Sequence, residues 1–333
     1  MRHPEARCSF VPDAQIMPFS QGAFGCYNAE GKLVKESLCV RERCLLFRVA
    51  PLLPVTATLS DSMIFGGFLF KHYGHFLLES LSRLWFAKEH PDLPIIWVGR
   101  DPDILDFQQE IFVLLGLKNP TRYADHPVRI RRLFLPNPGF LIPHIFTPFH
   151  EQFLAVQEPS PTLPGKKIYI SRRHFGGDSC LLNEEELELR LVHKGFHIYY
   201  PEKHSIREQL AYLSSAEKIL ALEGSALHTL ILLTSLKAQI LIMPRPETQI
   251  NPNFWTIAQR KGFVHSVLPM AKLYRKAVRL KHGHALFAGE LDLDYLLTLL
   301  EIDDWSPHAL YGEIFNRYPG FHFSDVYASQ SSI

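Results

Sequence analysis

Apolar residues in the second half of the chain fall into short, dense runs. Lys167–Ser171, Phe196–Tyr200, Lys218–Leu222 and Gln239–Met243 each have the length and composition of a buried strand. The residues between them follow helical spacing, with Leu187, Leu191 and Val192 on one face and Leu210 and Leu213 on the next. Strands alternating with helices predict βαβ units and a parallel sheet. Such sheets gather ligands at the carboxyl ends of their strands. Here those ends carry Ser171-Arg172-Arg173, Pro201-Glu202 and Glu223-Gly224-Ser225. Two adjacent arginines and a small-residue helix start suit a phosphate-bearing ligand.

The first half repeats the alternation less clearly. Prolines 12, 18, 51 and 54 break residues 1–60 into pieces that predict irregular β structure. Met63–Leu69 predicts an extended segment interrupted by the glycine pair Gly66-Gly67. From Tyr73 to His90 the period turns helical, with Phe76, Leu77, Leu81, Leu84 and Trp85 on the apolar face. His75 and Glu79 stand four residues apart on one side of that helix, and Arg83 extends their stripe by a turn. Pro94–Gly99 predicts a buried strand, Ile104–Leu115 a helix stopped by Gly116, and Arg132–Pro136 another strand. Pro136–Pro164, rich in proline and aromatics, marks the boundary between two α/β domains. Further on, Asn251–Gly262 and Leu291–Leu300 predict helices and Val264–Leu268 the last strand. The chain then divides into residues 1–155, 156–275 and a helical segment, 276–333, packing back on the first domain.

Composition narrows the partners. The chain has 35 Lys and Arg against 34 Asp and Glu, so it does not present itself as a general polyanion binder. It has no basic run interleaved with aromatics of the kind that reads nucleic acid. No apolar run reaches membrane-spanning length, and the first residues lack the apolar core of a signal peptide. Five cysteines without a CxxC pair predict reduced thiols in a cytoplasmic protein and argue against a structural zinc module.

Three blocks carry a family resemblance. They are Gly74-His75-Phe76-Leu77-Leu78-Glu79-Ser80-Leu81-Ser82-Arg83-Leu84-Trp85, then Ile170-Ser171-Arg172-Arg173 with Asn183-Glu184, and then Glu208-Gln209 with Glu223-Gly224-Ser225-Ala226-Leu227-His228. In their order and spacing they resemble glycosyltransferase family 61, its bacterial capsular-polysaccharide members in particular. That resemblance implies an α/β fold with two Rossmann-like domains facing a cleft, the GT-B architecture. It implies an inverting hexosyl or pentosyl transfer from a nucleotide sugar, a UDP-sugar by preference, with no metal and no further cofactor. The implied acceptor is a polysaccharide or glycolipid, which would bring a cytoplasmic enzyme transiently to the inner membrane face. One position departs from the family. Many members have His where this chain has Glu223, so a role carried by that His does not transfer.

The residues then take expected roles. Residues 1–155 would hold the acceptor and 156–275 the donor. Arg172 and Arg173 would grip the diphosphate, because departure of the leaving group builds charge that a cation must offset. Glu223, Gly224, Ser225 and His228 would line the donor site, with Glu202 accepting from ribose. The alternatives are a surface arginine pair bound to acids, an ordinary βα turn capped by Ser225, a histidine lining the interior, and a loop charge at Glu202. His75 and Glu79 are the candidate base pair for the acceptor hydroxyl, with either as the base, and Arg83 stands on the acceptor side. The competing reading of the whole chain is a non-catalytic glycan- or nucleotide-binding protein on the same fold. An epimerase acting on a nucleotide sugar is a further rival.

Overall fold

The apolar runs of the second half form one sheet in the computed structural model, which describes residues 5–42, 44–156, 165–174, 180–245, 250–268, 273–279 and 287–301. Strands Lys166–Ile170, Phe196–Tyr199, Ala216–Leu222, Gln239–Met243 and His265–Val267 are all parallel and lie side by side in the order second, first, third, fourth, fifth. Helices cover both faces, which is why these strands are continuous apolar runs and not alternating ones. On one face Tyr169, Leu220, Leu222, Leu241 and Met243 pack with Leu187 and Leu191 of helix Glu184–His193 and with Leu293, Leu296 and Leu299 of helix Leu293–Leu300. On the other, Ile240 and Ile242 meet Leu227 and Leu230 of the 3-10 helix Ser225–Leu232, and Phe254 and Ile257 of helix Asn253–Lys261. Each such fully buried side chain stabilises by roughly 1.5–3 kcal/mol. The chain order reverses between the first and third strands, so the carboxyl ends of Lys166–Ile170 and Ala216–Leu222 form the switch point where this topology binds ligands.

The first half builds a separate seven-stranded sheet. Its order is Arg48–Val49, Ala23–Tyr27, Cys8–Ser20, Val128–Pro136, Ala57–Leu69, Ile95–Gly99, Thr121–Tyr123. Cys8–Ser20 runs antiparallel to both its neighbours, whereas the four strands from Val128–Pro136 to Thr121–Tyr123 are mutually parallel. The glycine pair does not interrupt the strand but bulges it: the register against Ile95–Gly99 slips between Phe65 and Gly67. A Cβ on Gly66 would come within 2.7 Å of Ile95 and Trp97, and Gly67 takes a left-handed φ of 88°. The bulge turns the strand end toward the segment that follows it.

Contacts divide the chain into two compact units whose described parts are residues 5–156 and 165–301. The described residues 276–279 and 287–301 depart from the expected helical return to the first domain. They contribute to a hairpin, Tyr274–Arg279 with Phe287–Leu291, and then to helix Leu293–Leu300, and Leu291, Leu293 and Leu296 enter the core of the second unit. Their leucines complete the sheet face that Leu187 and Leu191 cover only in part. Residues 302–333 lie outside the described residues. Asn183 stands at the N-cap of helix Glu184–His193 without a side-chain cap bond; its amide brackets the backbone of Leu291 at 2.9 and 3.0 Å, pinning that strand to the helix start.

Candidate functional site

The expected helix from Tyr73 to His90 is broken into four unlike turns. Tyr73–His75 is α, Phe76–Ser80 is a π turn, Leu81–Arg83 is 3-10 and Trp85–Glu89 is α again. The side chains explain the breaks. Ser80 Oγ donates to Phe68 O and accepts the N–H of Phe70, both at 2.9 Å, tying the π turn to the strand that precedes it. Ser82 makes the same double contact with Phe140, and the Trp85 indole donates to Asn137 O at 2.9 Å. Single π turns of this sort recur at functional sites.

Within this segment His75 and Glu79 come together, and Arg41 joins them. Arg41 lies on the short hairpin Val40–Arg41 with Cys44–Leu45. Its Nε and Nη2 donate to the two oxygens of Glu79 at 2.8 and 2.6 Å, a bidentate fork. His75 Nδ1 stands 2.8 Å from Glu79 Oε2 and 3.1 Å from Arg41 Nη2, so it donates to the carboxylate or accepts from the guanidinium according to its tautomer. The Glu79 side chain is 12% exposed and that of His75 37%. Burial is the largest single influence on Glu79 and pushes its pKa up. The hydrogen bonds from His75 and Arg41, with the Arg41 charge, outweigh it and hold the carboxyl below its usual range. Burial, helped by the Glu79 charge, pushes the neighbouring Cys39 thiol up to about 12, so it stays protonated.

Arg83 does not face an acceptor. It is 6% exposed, and its guanidinium donates to Pro136 O and, at 2.6 Å, to Glu36 O, with the Phe65 ring 6.0 Å away. Helical spacing places it on the His75–Glu79 stripe. The π turn shifts it off that stripe and into the protein, where it bonds the backbone carbonyls of Pro136, at the end of a strand, and of Glu36, in the 3-10 turn Lys35–Ser37.

The second cluster occupies the switch point of the other unit. The Arg172 guanidinium lies against Gly224, where a Cβ would overlap Nη1. The backbone N–H of Arg172 donates to Glu184 Oε1 at 2.8 Å, and the same carboxylate takes the Tyr169 hydroxyl at 2.8 Å. Glu223, 5% exposed, accepts the Asn251 N–H on Oε1 at 2.9 Å, and burial pushes its pKa up. Its carbonyl accepts from Arg245 Nε at 3.1 Å. The Arg172 pKa is pushed down, first by burial and then by the charge of Arg245.

The other expected donor residues separate. Arg173 pairs with Glu185 at 2.6 Å and Glu188 at 3.2 Å, the arrangement of an arginine held by the acids of the next helix. Ser225 does not cap the helix it begins: the N-cap is Gly224, with no side-chain bond. Ser225 keeps its place beside Gly224, half-buried. His228 is buried and stacks on Phe254, ring centroids 4.8 Å apart, so it packs between two helices. Glu202, in the 3-10 turn after Phe196–Tyr199, stands 3.3 Å from His174, while Lys203 lies over the Tyr200 ring instead of pairing with it. Sequence reasoning missed Arg41, which is 38 positions from Glu79, and gave Arg245 no role. The signal for Arg245 was its place: it follows a buried strand as Arg172 does.

Among the described residues no three His, Cys, Asp or Glu side chains form a group that could hold a metal, and no helix is long and apolar enough to cross a membrane. Residues 73–247, just over half the chain, match the family model described as Glycosyltransferase 61. The match takes in His75, Glu79, Arg172, Glu223 and Arg245, and leaves Arg41 outside. No curated protein matches the chain significantly.

Proposed function

The chain belongs to the glycosyltransferase 61 family, and from that premise we propose that it is an inverting, GT-B-type transferase moving a sugar from a nucleotide sugar to a polysaccharide or glycolipid. The observation that carries this reading is the His75–Glu79 pair held by Arg41. Glu79, forked by a guanidinium and kept ionised, is a poor base. It is well suited to accept the Nδ1 proton of His75 and leave Nε2 with the lone pair. In this reading His75 is the base and Glu79 the residue that orients it, with Arg41 fixing Glu79.

The reaction then balances as follows. The acceptor hydroxyl gives its proton to His75 Nε2 while its oxygen bonds the anomeric carbon. The bond from that carbon to the diphosphate breaks on the opposite side, its electron pair passing to the β-phosphate oxygen, so configuration inverts. Arg172, at the switch point beside Gly224, offsets the charge on that oxygen. A guanidinium in this place can do what a metal does elsewhere, which supports metal-independent transfer. The same reading takes in a UDP-sugar donor, the capsular-type acceptor and a cytoplasmic enzyme reaching the inner membrane face.

The test begins with thermal shift of the purified chain against UDP, GDP, CMP and UDP-sugars. Transfer is then followed by NMR of the anomeric product in wild type and His75→Ala. One nucleotide should raise the melting temperature, the product should be inverted, and His75→Ala should bind donor normally with turnover down about 10²–10⁴-fold. Transfer at the wild-type rate by His75→Ala, or a retained configuration, would refute the assignment.

A further inference from the structure

We infer that the half-buried rings of Phe70, Phe47 and Phe19, which lead from the His75–Glu79–Arg41 cluster to Arg100, form a track on which the sugar rings of an oligosaccharide acceptor stack. The acceptor is then a glycan chain and not a single sugar. The inference rests on the transferase reading above and deepens it by naming the acceptor side of that site.

Continuity leads there. The Phe70 ring lies 5.6 Å from the His75 ring, centroid to centroid, and the Arg41 guanidinium stands over it at 5.8 Å. Phe47 follows at 6.1 Å, its plane within 25° of that of Phe70, and Phe19 stands 5.1 Å from Phe47. The Arg100 guanidinium ends the row, 5.8 Å from the Phe19 centroid. The candidate base is thus joined to an unbroken aromatic row with a cation at its far end.

The rings are held firmly. Phe70, Phe47 and Phe19 are partly exposed, and the two rings packed with them, Phe24 and Phe68, are buried at 1% and 5% exposure. Phe68 stacks on Phe47 at 4.4 Å and meets Phe70 at 4.7 Å and Phe19 at 5.0 Å. The backbone of Phe70 is pinned twice: its N–H donates to Ser80 Oγ, and its carbonyl accepts from Gln108 Nε2, both at 2.9 Å. Rings fixed in this way lose little freedom when a ligand settles on them.

Sugars suit such a surface. A pyranose presents a patch of C–H groups to the negative face of an aromatic ring, and its hydroxyls to donors at the rim. The steps of 6.1 and 5.1 Å between rings match the advance of a glycan chain by one sugar. Arg100 is exposed, so its several N–H groups can meet hydroxyls there. The sugar at Phe70 is the one beside His75, and the sugars behind it lie at Phe47 and Phe19. Contacts so far from the reacting hydroxyl act on ground state and transition state alike, so lengthening the acceptor lowers its KM more than it raises kcat.

The full chain is first bound to a printed array of mono- to hexasaccharides in the gluco, galacto, manno, xylo and N-acetylhexosamine series. The best tetrasaccharide and its own monosaccharide are then titrated by calorimetry into wild type, Phe47→Leu, Phe19→Leu and Arg100→Ala. Circular dichroism and melting temperature check folding. Wild type should bind the tetrasaccharide at least tenfold tighter than the monosaccharide. Each phenylalanine variant should weaken the tetrasaccharide by about three- to tenfold and leave the nucleotide-induced thermal shift in place. Arg100→Ala, a change at an exposed side chain, should weaken it by about tenfold and decides the matter if a phenylalanine variant does not fold. Equal wild-type affinity for tetrasaccharide and monosaccharide, no binding to any oligosaccharide on the array, or undiminished tetrasaccharide affinity in the folded variants would overturn the track. With the nucleotide shift retained, any of these outcomes leaves the transferase reading standing. Wild type that binds neither glycan nor nucleotide would overturn both.

Discussion

Replacing Glu79 by Gln removes a charge and almost no volume, so its consequences can be worked out from the Arg41 fork. Glu79 takes two guanidinium bonds at 2.8 and 2.6 Å, and the His75 ring at 2.8 Å. Bonds to a charged group contribute about 1.5–3 kcal/mol, and neutral ones about 0.5–1.5. Gln offers one acceptor oxygen, so one guanidinium bond survives without the carboxylate charge while the other meets an NH2 that cannot accept it, and the two changes together cost roughly 2 kcal/mol. Arg41 and His75 are 28% and 37% exposed, so water recovers part of any further loss. A deficit of about 2 kcal/mol follows, and a melting temperature lowered by roughly 4–8 °C for a unit of this size. The pH dependence has a definite sign. The folded pKa of Glu79 lies below its unfolded value, so the unfolded chain binds the proton more readily. The stabilisation is complete above the unfolded carboxyl range and is lost as pH falls through the lowered folded value. Urea titrations should therefore show a constant deficit from neutrality to about pH 5, shrinking on further acidification. Gln would also present an amide that competes for the Nδ1 tautomer of His75. Turnover should fall about 10²–10⁴-fold with donor affinity unchanged. A variant with wild-type turnover refutes the orienting role, and a deficit that persists undiminished near pH 3 refutes the ionised carboxylate.

Two further substitutions separate binding from architecture. Gly224→Ala meets no backbone strain, because φ is −179°, but its methyl group displaces the Arg172 guanidinium; melting should hardly change while calorimetry shows nucleoside diphosphate affinity down by about tenfold. Arg83→Met removes the donors that hold Pro136 and Glu36, and equilibrium unfolding should show about 2–4 kcal/mol lost, with normal activity per folded molecule.

What the sequence determined alone was local. The second unit's strands are legible because both faces are covered, which demands unbroken apolar runs such as Ile219–Leu222. The order of strands and helices then implied a parallel sheet, and with it a ligand edge holding Arg172 and Gly224. The pairing of His75 with Glu79 was legible too, because a four-residue spacing is local geometry. Tertiary structure decided everything that needed a partner from elsewhere in the chain. Helical period cannot reveal that Ser80 and Ser82 bond strand ends and break the helix, carrying Arg83 inward. The fork on Glu79 comes from Arg41 on a hairpin far away in sequence, and the second guanidinium at the switch point comes from the strand beside it. The sequence listed the charges; the fold chose which would meet, as Arg173 meets Glu185 and Glu188, because only three-dimensional neighbours can neutralise a charge.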